Sequence, residues 1–185
     1  MSADRIERGL TRMAYQIFED TADSRQLIVF GINERGYLLA KRITEKLSEI
    51  YGTPVGSHPI EIKKSKSAGI PKNPREKAQA SASEKKGADT GPEQHLWSLH
   101  DKVVIIVDDV IYSGRTMYQA LKTITDCDIP AEIRLAVLID RGHRRFPFAI
   151  SYTGMYCPTK LREHVRCLFL TDGSPDAVEL LSDTR

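Results

Sequence analysis

No apolar run in this chain approaches the roughly 20 residues that a membrane-spanning helix requires, so no membrane partner is expected. The opening residues, Met1-Ser-Ala-Asp-Arg5, lack the apolar core of a secretory signal. Cysteine is scarce. Cys127, Cys157 and Cys167 are odd in number and show no Cys-x-x-Cys spacing. This excludes a disulfide scaffold, makes no metal centre, and reads as reduced thiols in a cytoplasmic protein. A dominant charge is also missing. The formal net charge is +2, so global charge argues for neither nucleic acid nor a membrane surface. No internal repeat is apparent. The 185 residues are 41% hydrophobic and 28% charged, which suits one ordinary domain, residues 1–185, with a substantial core.

The charge is unevenly spread. Lys63 to Lys86 holds eight basic and two acidic residues, leaving the rest slightly acidic. Residues 63–95 also lose all periodicity and carry Pro71, Pro74, Gly87 and Gly91. They read as a flexible basic loop within the domain, either a functional lid or an insert.

Elsewhere strands and helices alternate. Ile6, Leu10, Met13 and Ile17 predict an amphipathic helix over about residues 4–19. Leu27 to Phe30 reads as a buried strand running into a loop, Gly31-Ile-Asn-Glu-Arg-Gly36. A second helix follows, with Leu39, Ile43, Leu47 and Ile50 on one face and Gly52 at its end. Ile60–Ile62, Ile133–Ile139 and Val165–Leu170 are further strand candidates, and a helix is predicted from about Arg115 to Asp126. The pattern predicts an α/β doubly wound, mainly parallel sheet flanked by helices.

The most informative segment runs from Val103 to Thr116. Five β-branched apolar residues lead into Asp108 and Asp109, and Ser113-Gly114-Arg115-Thr116 then opens a helix. In open α/β sheets, ligands bind beyond the carboxyl ends of the strands. Ionised carboxylates only accept hydrogen bonds, which suits the vicinal hydroxyls of a sugar. A glycine-containing loop at a helix start offers free N–H groups to a phosphate. Together they suggest a sugar-phosphate pocket. Paired acids at such a strand end also hold metals in receiver-like and nucleotide-binding folds.

The apolar run, acid pair and Gly-Arg-Thr together resemble the phosphoribosyl diphosphate (PRPP) motif of type I phosphoribosyltransferases. Further segments resemble one branch, the bifunctional pyrimidine-operon attenuators and uracil phosphoribosyltransferases. They are Leu10–Ala14, Gly31–Gly36, Leu135–Arg144, Phe146-Pro147 and Tyr152–Gly154. The resemblance implies that Asp108 and Asp109 face the ribose and assist Mg2+, directly or indirectly. Tyr112, Ser113, Gly114, Arg115 and Thr116 would surround the 5′-phosphate. Arg35 and Gly36 would contact pyrophosphate, with Arg35 joining Asp108 and Asp109 as the catalytic set. Asp140 and Arg141 would receive the base in a small hood, and His143 and Arg144 match positions that contact RNA. Tyr112 stands where purine enzymes often carry Asp. With a pKa of about 10 it cannot replace a carboxylate near neutral pH, which argues against a purine more than for uracil, the base that the resemblance implies.

Some positions depart from that branch. Glu34 replaces Thr or Ser, Tyr15 replaces a histidine, Met155 replaces a basic residue, and Lys63-Lys-Ser-Lys-Ser67 replaces the usual lid sequence. The expected activity is transfer of the phosphoribosyl group from PRPP to a pyrimidine by a homodimer or higher homo-oligomer. The alternatives are a nucleotide-responsive RNA-binding regulator of pyrimidine genes and a catalytically silent PRPP-binding protein.

Overall fold

The computed structural model describes residues 1–21, 26–62, 97–160, 163–169 and 176–182. The chain forms two compact units, Met1–Ile62 with Ser98–Arg185, and Lys63–Trp97. The basic loop expected over residues 63–95 lies outside the described residues.

Helix α1 (Ala3–Thr21) buries all four apolar residues that predicted it, Ile6, Leu10, Met13 and Ile17. Strand β1 (Leu27–Ile32) passes directly into α2 (Asn33–Tyr51), which buries Leu39, Ile43 and Leu47 and ends at left-handed Gly52, φ 67°. The predicted loop is therefore shorter than expected, because residues 33–36 already form the first helical turn. Asn33 makes the corner possible. It takes a positive φ of 52°, which Asn tolerates, and its Oδ1 accepts the N–H of Ile62 at 2.8 Å.

Strand β2 (Ser57–Ile60) lies slightly earlier than predicted. Next come β3 (Val103–Ile111), α3 (Arg115–Cys127), β4 (Glu132–Asp140) and β5 (Tyr152–Tyr156). These five strands form one parallel sheet in the order β2-β1-β3-β4-β5. The α/β doubly wound reading holds. Val103 to Val107 are all buried, as expected for a strand covered on both faces. Strands β6 (Glu163–Leu168) and β7 (Ala177–Ser182) pair antiparallel in a separate small sheet. Its Cys167 and Val178 join the core cluster. Among the described residues no helix is long and apolar enough to cross a membrane.

Strand order reverses between β1 and β3, so the crevice at their carboxyl ends is where a ligand is expected. β1 stops pairing at Gly31↔Val107, while β3 continues beside β4 to Ile111↔Asp140. Asp108 and Asp109 occupy this overrun. They lie inside a strand rather than after it.

Candidate active site

Each carboxylate of the pair first satisfies its own backbone. Asp108 Oδ1 accepts the N–H of Asp109, and Asp109 Oδ1 accepts the N–H of Val110, both at 2.9 Å. The two acids then diverge. Asp108 lines a cavity of about 200 Å³ with Val110 through Met117. Asp109 turns to Arg35, whose Nη1 lies 3.6 Å from its Oδ2. Burial, and then the neighbouring charge of Asp109, push the Asp108 carboxyl well above the usual carboxylate range.

Arg35 reaches the acids because the β1–α2 corner packs backbone against backbone. A Cβ on Gly36 would come within 2.7 Å of the Val107 carbonyl oxygen, and one on Gly31 within 2.3 Å of Tyr37 Cα. Neither glycine is required by a positive φ. Both are required by close approach.

The far side of the cavity is the start of α3. Gly114 sits at its N-cap with φ 82°, a left-handed conformation that glycine adopts without strain. The cap residue, Gly114, has no side chain to offer, and in the first turn at the positive end of the helix dipole the Arg115 N–H meets Ser113 Oγ at 3.4 Å. Two donors hold the preceding loop from behind. Arg145 and Phe146 N–H both point at the Ser113 carbonyl, at 3.0 and 3.3 Å. The Phe148 ring and the Phe146 Cβ close on Gly114.

A cluster that meets the cavity residue Tyr112 follows β4. Asp140 is buried, and its carboxylate accepts the Gly142 N–H at 2.9 Å and the guanidinium of Arg144. Its carbonyl accepts the N–H of Cys157 at 2.8 Å. Arg141 is also buried. Its N–H donates to the Ile111 carbonyl at 3.1 Å, its Nε donates to Thr159 Oγ1 at 2.9 Å, and its Nη2 donates to the Glu163 carbonyl. The polar atoms expected to meet a base are thus largely engaged within the protein. His143 contacts the Thr159 carbonyl through Nε2, and Arg144 also donates to the Phe148 carbonyl at 3.1 Å.

A family model for the phosphoribosyl transferase domain matches residues 2–163. The chain belongs to the phosphoribosyltransferase family. It is 37% identical over 183 residues to the bifunctional protein PyrR of Deinococcus radiodurans, covering 97% of this chain and 92% of that protein. It is 38% identical over 160 residues to the protein of the same name from Bacillus velezensis, covering 86% and 83%. Among solved structures, the hypoxanthine phosphoribosyltransferase of Trypanosoma cruzi in complex with IMP superposes with a TM-score of 0.60. It is 16% identical and covers 85% of this chain and 74% of that one. That structure shares the fold.

In this phosphoribosyltransferase, Asp108, Tyr112, Ser113, Gly114, Arg115 and Thr116 line one cavity. Arg35, Gly36 and Asp109 stand together at the neighbouring corner. Asp140, Arg141, His143 and Arg144 are bonded within the protein, and Arg141 and His143 meet the cavity residue Tyr112. Tyr15 is exposed on α1, while Met155 is partly buried against the core. Sequence reasoning missed two contributors. Phe148 backs Gly114, and Cys167 on β6 is near enough to Asp109 to feel its charge. Burial, and then the charge of Asp109, push the Cys167 thiol up to about 12, so it remains protonated. Both contacts join segments distant in the chain, and no local motif announces them.

Proposed function

We propose that this protein transfers the 5-phosphoribosyl group of PRPP to a pyrimidine base, uracil first, releasing pyrophosphate in the cytoplasm. One observation carries the reading. A single cavity is lined both by a carboxylate, Asp108, and by a helix N-terminus that begins at Gly114. Sugar hydroxyls need the first, and a phosphate needs the second.

In this reading the amides of residues 113–116 and the Thr116 hydroxyl hold the 5′-phosphate. Asp108 and Asp109 accept hydrogen bonds from the ribose hydroxyls. Arg35 swaps its partner Asp109 for the diphosphate, whose oxygens match a guanidinium in paired hydrogen bonds. The bond from C1 of the ribose to diphosphate oxygen breaks as the bond to a ring nitrogen of the base forms. That nitrogen loses its proton. Positive charge developing on the sugar ring is stabilised by the nearby acids, and negative charge on the leaving group by Arg35. Tyr112 and the Asp140–Arg141 turn bound the base.

Among the described residues no three His, Cys, Asp or Glu side chains gather to hold a metal alone. Asp108 and Asp109 fit Mg2+ in the manner usual for that ion, shared with substrate phosphates and water. When bound it neutralises charge on the diphosphate.

A second reading, RNA binding regulated by nucleotide, draws support from the word "bifunctional" in the names of the relatives. His143 stands 5.8 Å from Tyr112 between ring centroids, so the expected RNA face adjoins the ligand cavity. Association into a homo-oligomer would extend that face.

A pyrophosphate-release screen with PRPP, Mg2+ and a panel of bases is the test. Release with uracil supports the transferase. No release with any base, while calorimetry still shows PRPP binding, points to the silent PRPP-binding protein.

A further inference from the structure

Arg141 is a cation with 6% exposure, and among the described residues no carboxylate forms an ion pair with it. A buried charge of this kind is costly unless its geometry is used. Its donors go to Thr159 Oγ1 and the Glu163 carbonyl, which fix the guanidinium plane. The guanidinium carbon then lies 4.3 Å from the centroid of the Tyr112 ring. His143 meets the same ring at 66°, and its own Nε2 is held by the Thr159 carbonyl. Tyr112 is therefore clamped by two side chains that share Thr159 as an anchor. The backbone repeats the tie, because the Arg141 N–H bonds Ile111, the residue before Tyr112. Tyr112 lines the cavity with Asp108 and the phosphate loop.

We propose that Arg141 is a positioning residue: by stacking on Tyr112 while anchored to Thr159 and the Glu163 carbonyl, it fixes the cavity wall against which the pyrimidine lies. This rests on the transferase reading for the identity of the ligand. The Arg141 side chain acts through Tyr112, and the backbone of the Asp140–Arg141 turn bounds the base. A freely rotating Tyr112 would leave the sugar-phosphate half of the site intact and blur only the base half. The consequence is a selective loss, which a merely structural role would not give.

The experiment compares binding of uridine 5′-monophosphate and ribose 5-phosphate by calorimetry in the wild type, Arg141→Met, Tyr112→Leu and the double variant. Each single change should weaken the nucleotide on the order of 10-fold, the scale of a misplaced positioning group. In Arg141→Met, ribose 5-phosphate should change less than about threefold. The double variant should lose no more than either single one, because both remove the same contact. Additive losses, or equal loss of both ligands, would overturn the proposal. If Arg141→Met does not fold, Arg141→Lys replaces it in the same cycle. An ammonium cannot serve Thr159, Glu163 and the ring face together, so the same selective loss is expected.

A second measurement needs no ligand. The Arg141 Nε–H should exchange slowly in nuclear magnetic resonance and carry a ring-current shift that disappears in Tyr112→Leu. A fast-exchanging signal, or one unmoved by that substitution, would overturn the clamp whatever the activity. If the wild type binds neither ligand, the transferase reading fails on its own, and the resonance alone decides whether Arg141 holds the ring.

Discussion

Arg35 and Asp109 face each other across the switch point of the sheet, one from the first turn of α2 and the other from the end of β3, with 3.6 Å between Nη1 and Oδ2. The Arg35 side chain is 54% exposed. Exposed pairs of this kind contribute roughly 0–1 kcal/mol. The pair is therefore easy to exchange for a diphosphate, which offers the same guanidinium two oxygens and more charge.

Arg35→Ala should change unfolding free energy by less than about 1 kcal/mol in urea titration. It should lower kcat/KM for PRPP on the order of 100-fold, as when one donor to developing charge is removed. Arg35→Lys should recover only part, because an ammonium lacks the paired geometry. A large loss of stability with unchanged kinetics would make the pair structural.

Asp108→Asn should fold and keep its contact with the Asp109 N–H, since the amide oxygen can accept it. The native carboxyl is raised above its unfolded value, so the native state binds more protons between the ordinary carboxylate pKa and the raised one. Wild-type stability from this group falls as pH rises through that window. The Asn variant should therefore gain relative stability with rising pH, and the gain should vanish below the ordinary range. PRPP affinity should be lost throughout. Urea titrations across pH, with calorimetry, would check both.

Thr116→Ala should weaken phosphate binding by about 1.5–3 kcal/mol, the range for a hydrogen bond to a charged partner. Arg115 is exposed, and Arg115→Ala should cost much less. Equal effects in ribose 5-phosphate calorimetry would remove the distinction.

Gly36→Ala must displace either α2 or β3, since the contact at 2.7 Å is with backbone. A loss of about 1–3 kcal/mol is expected, as for overpacking in a core. Wild-type stability in this variant would show that the corner yields.

Arg144→Ala should destabilise the fold by about 1–3 kcal/mol, because Asp140 is left buried without its cation. If RNA binds, the slope of log affinity against log salt should fall by less than about one unit. A guanidinium already paired releases few ions from a phosphate.

Most of the fold was legible because its signals are local. The helix positions of Ile6, Leu10, Met13 and Ile17, and the run from Val103 to Val107, each specify burial within a short window. The cavity residues from Asp108 to Thr116 were legible for the same reason, since one strand-loop-helix segment contributes most of the lining. The early start of α2 was hidden because Asn33 reads as a turn residue until its bond to Ile62 is known. The partnership of β6 with β7 was hidden because antiparallel register depends on pairing across a gap in sequence. The engagement of Arg141 and Asp140 was hidden for a similar reason. Residue type says that a side chain can reach a base, but not that Thr159 or Arg144 reaches it first.

For anyone redesigning the Arg35 corner of this site, Gly31 and Gly36 mark where not to cut. Two main chains touch there, so no intervening layer of side chains exists to be varied. Adjustment has to enter beside them, at Glu34 and Arg35, whose side chains are exposed. The corner thus behaves as a fixed bearing with an adjustable rim. A library confined to position 34 should explore anion preference without unseating the acids, whereas one that includes position 36 should lose stability, more so as the side chain grows.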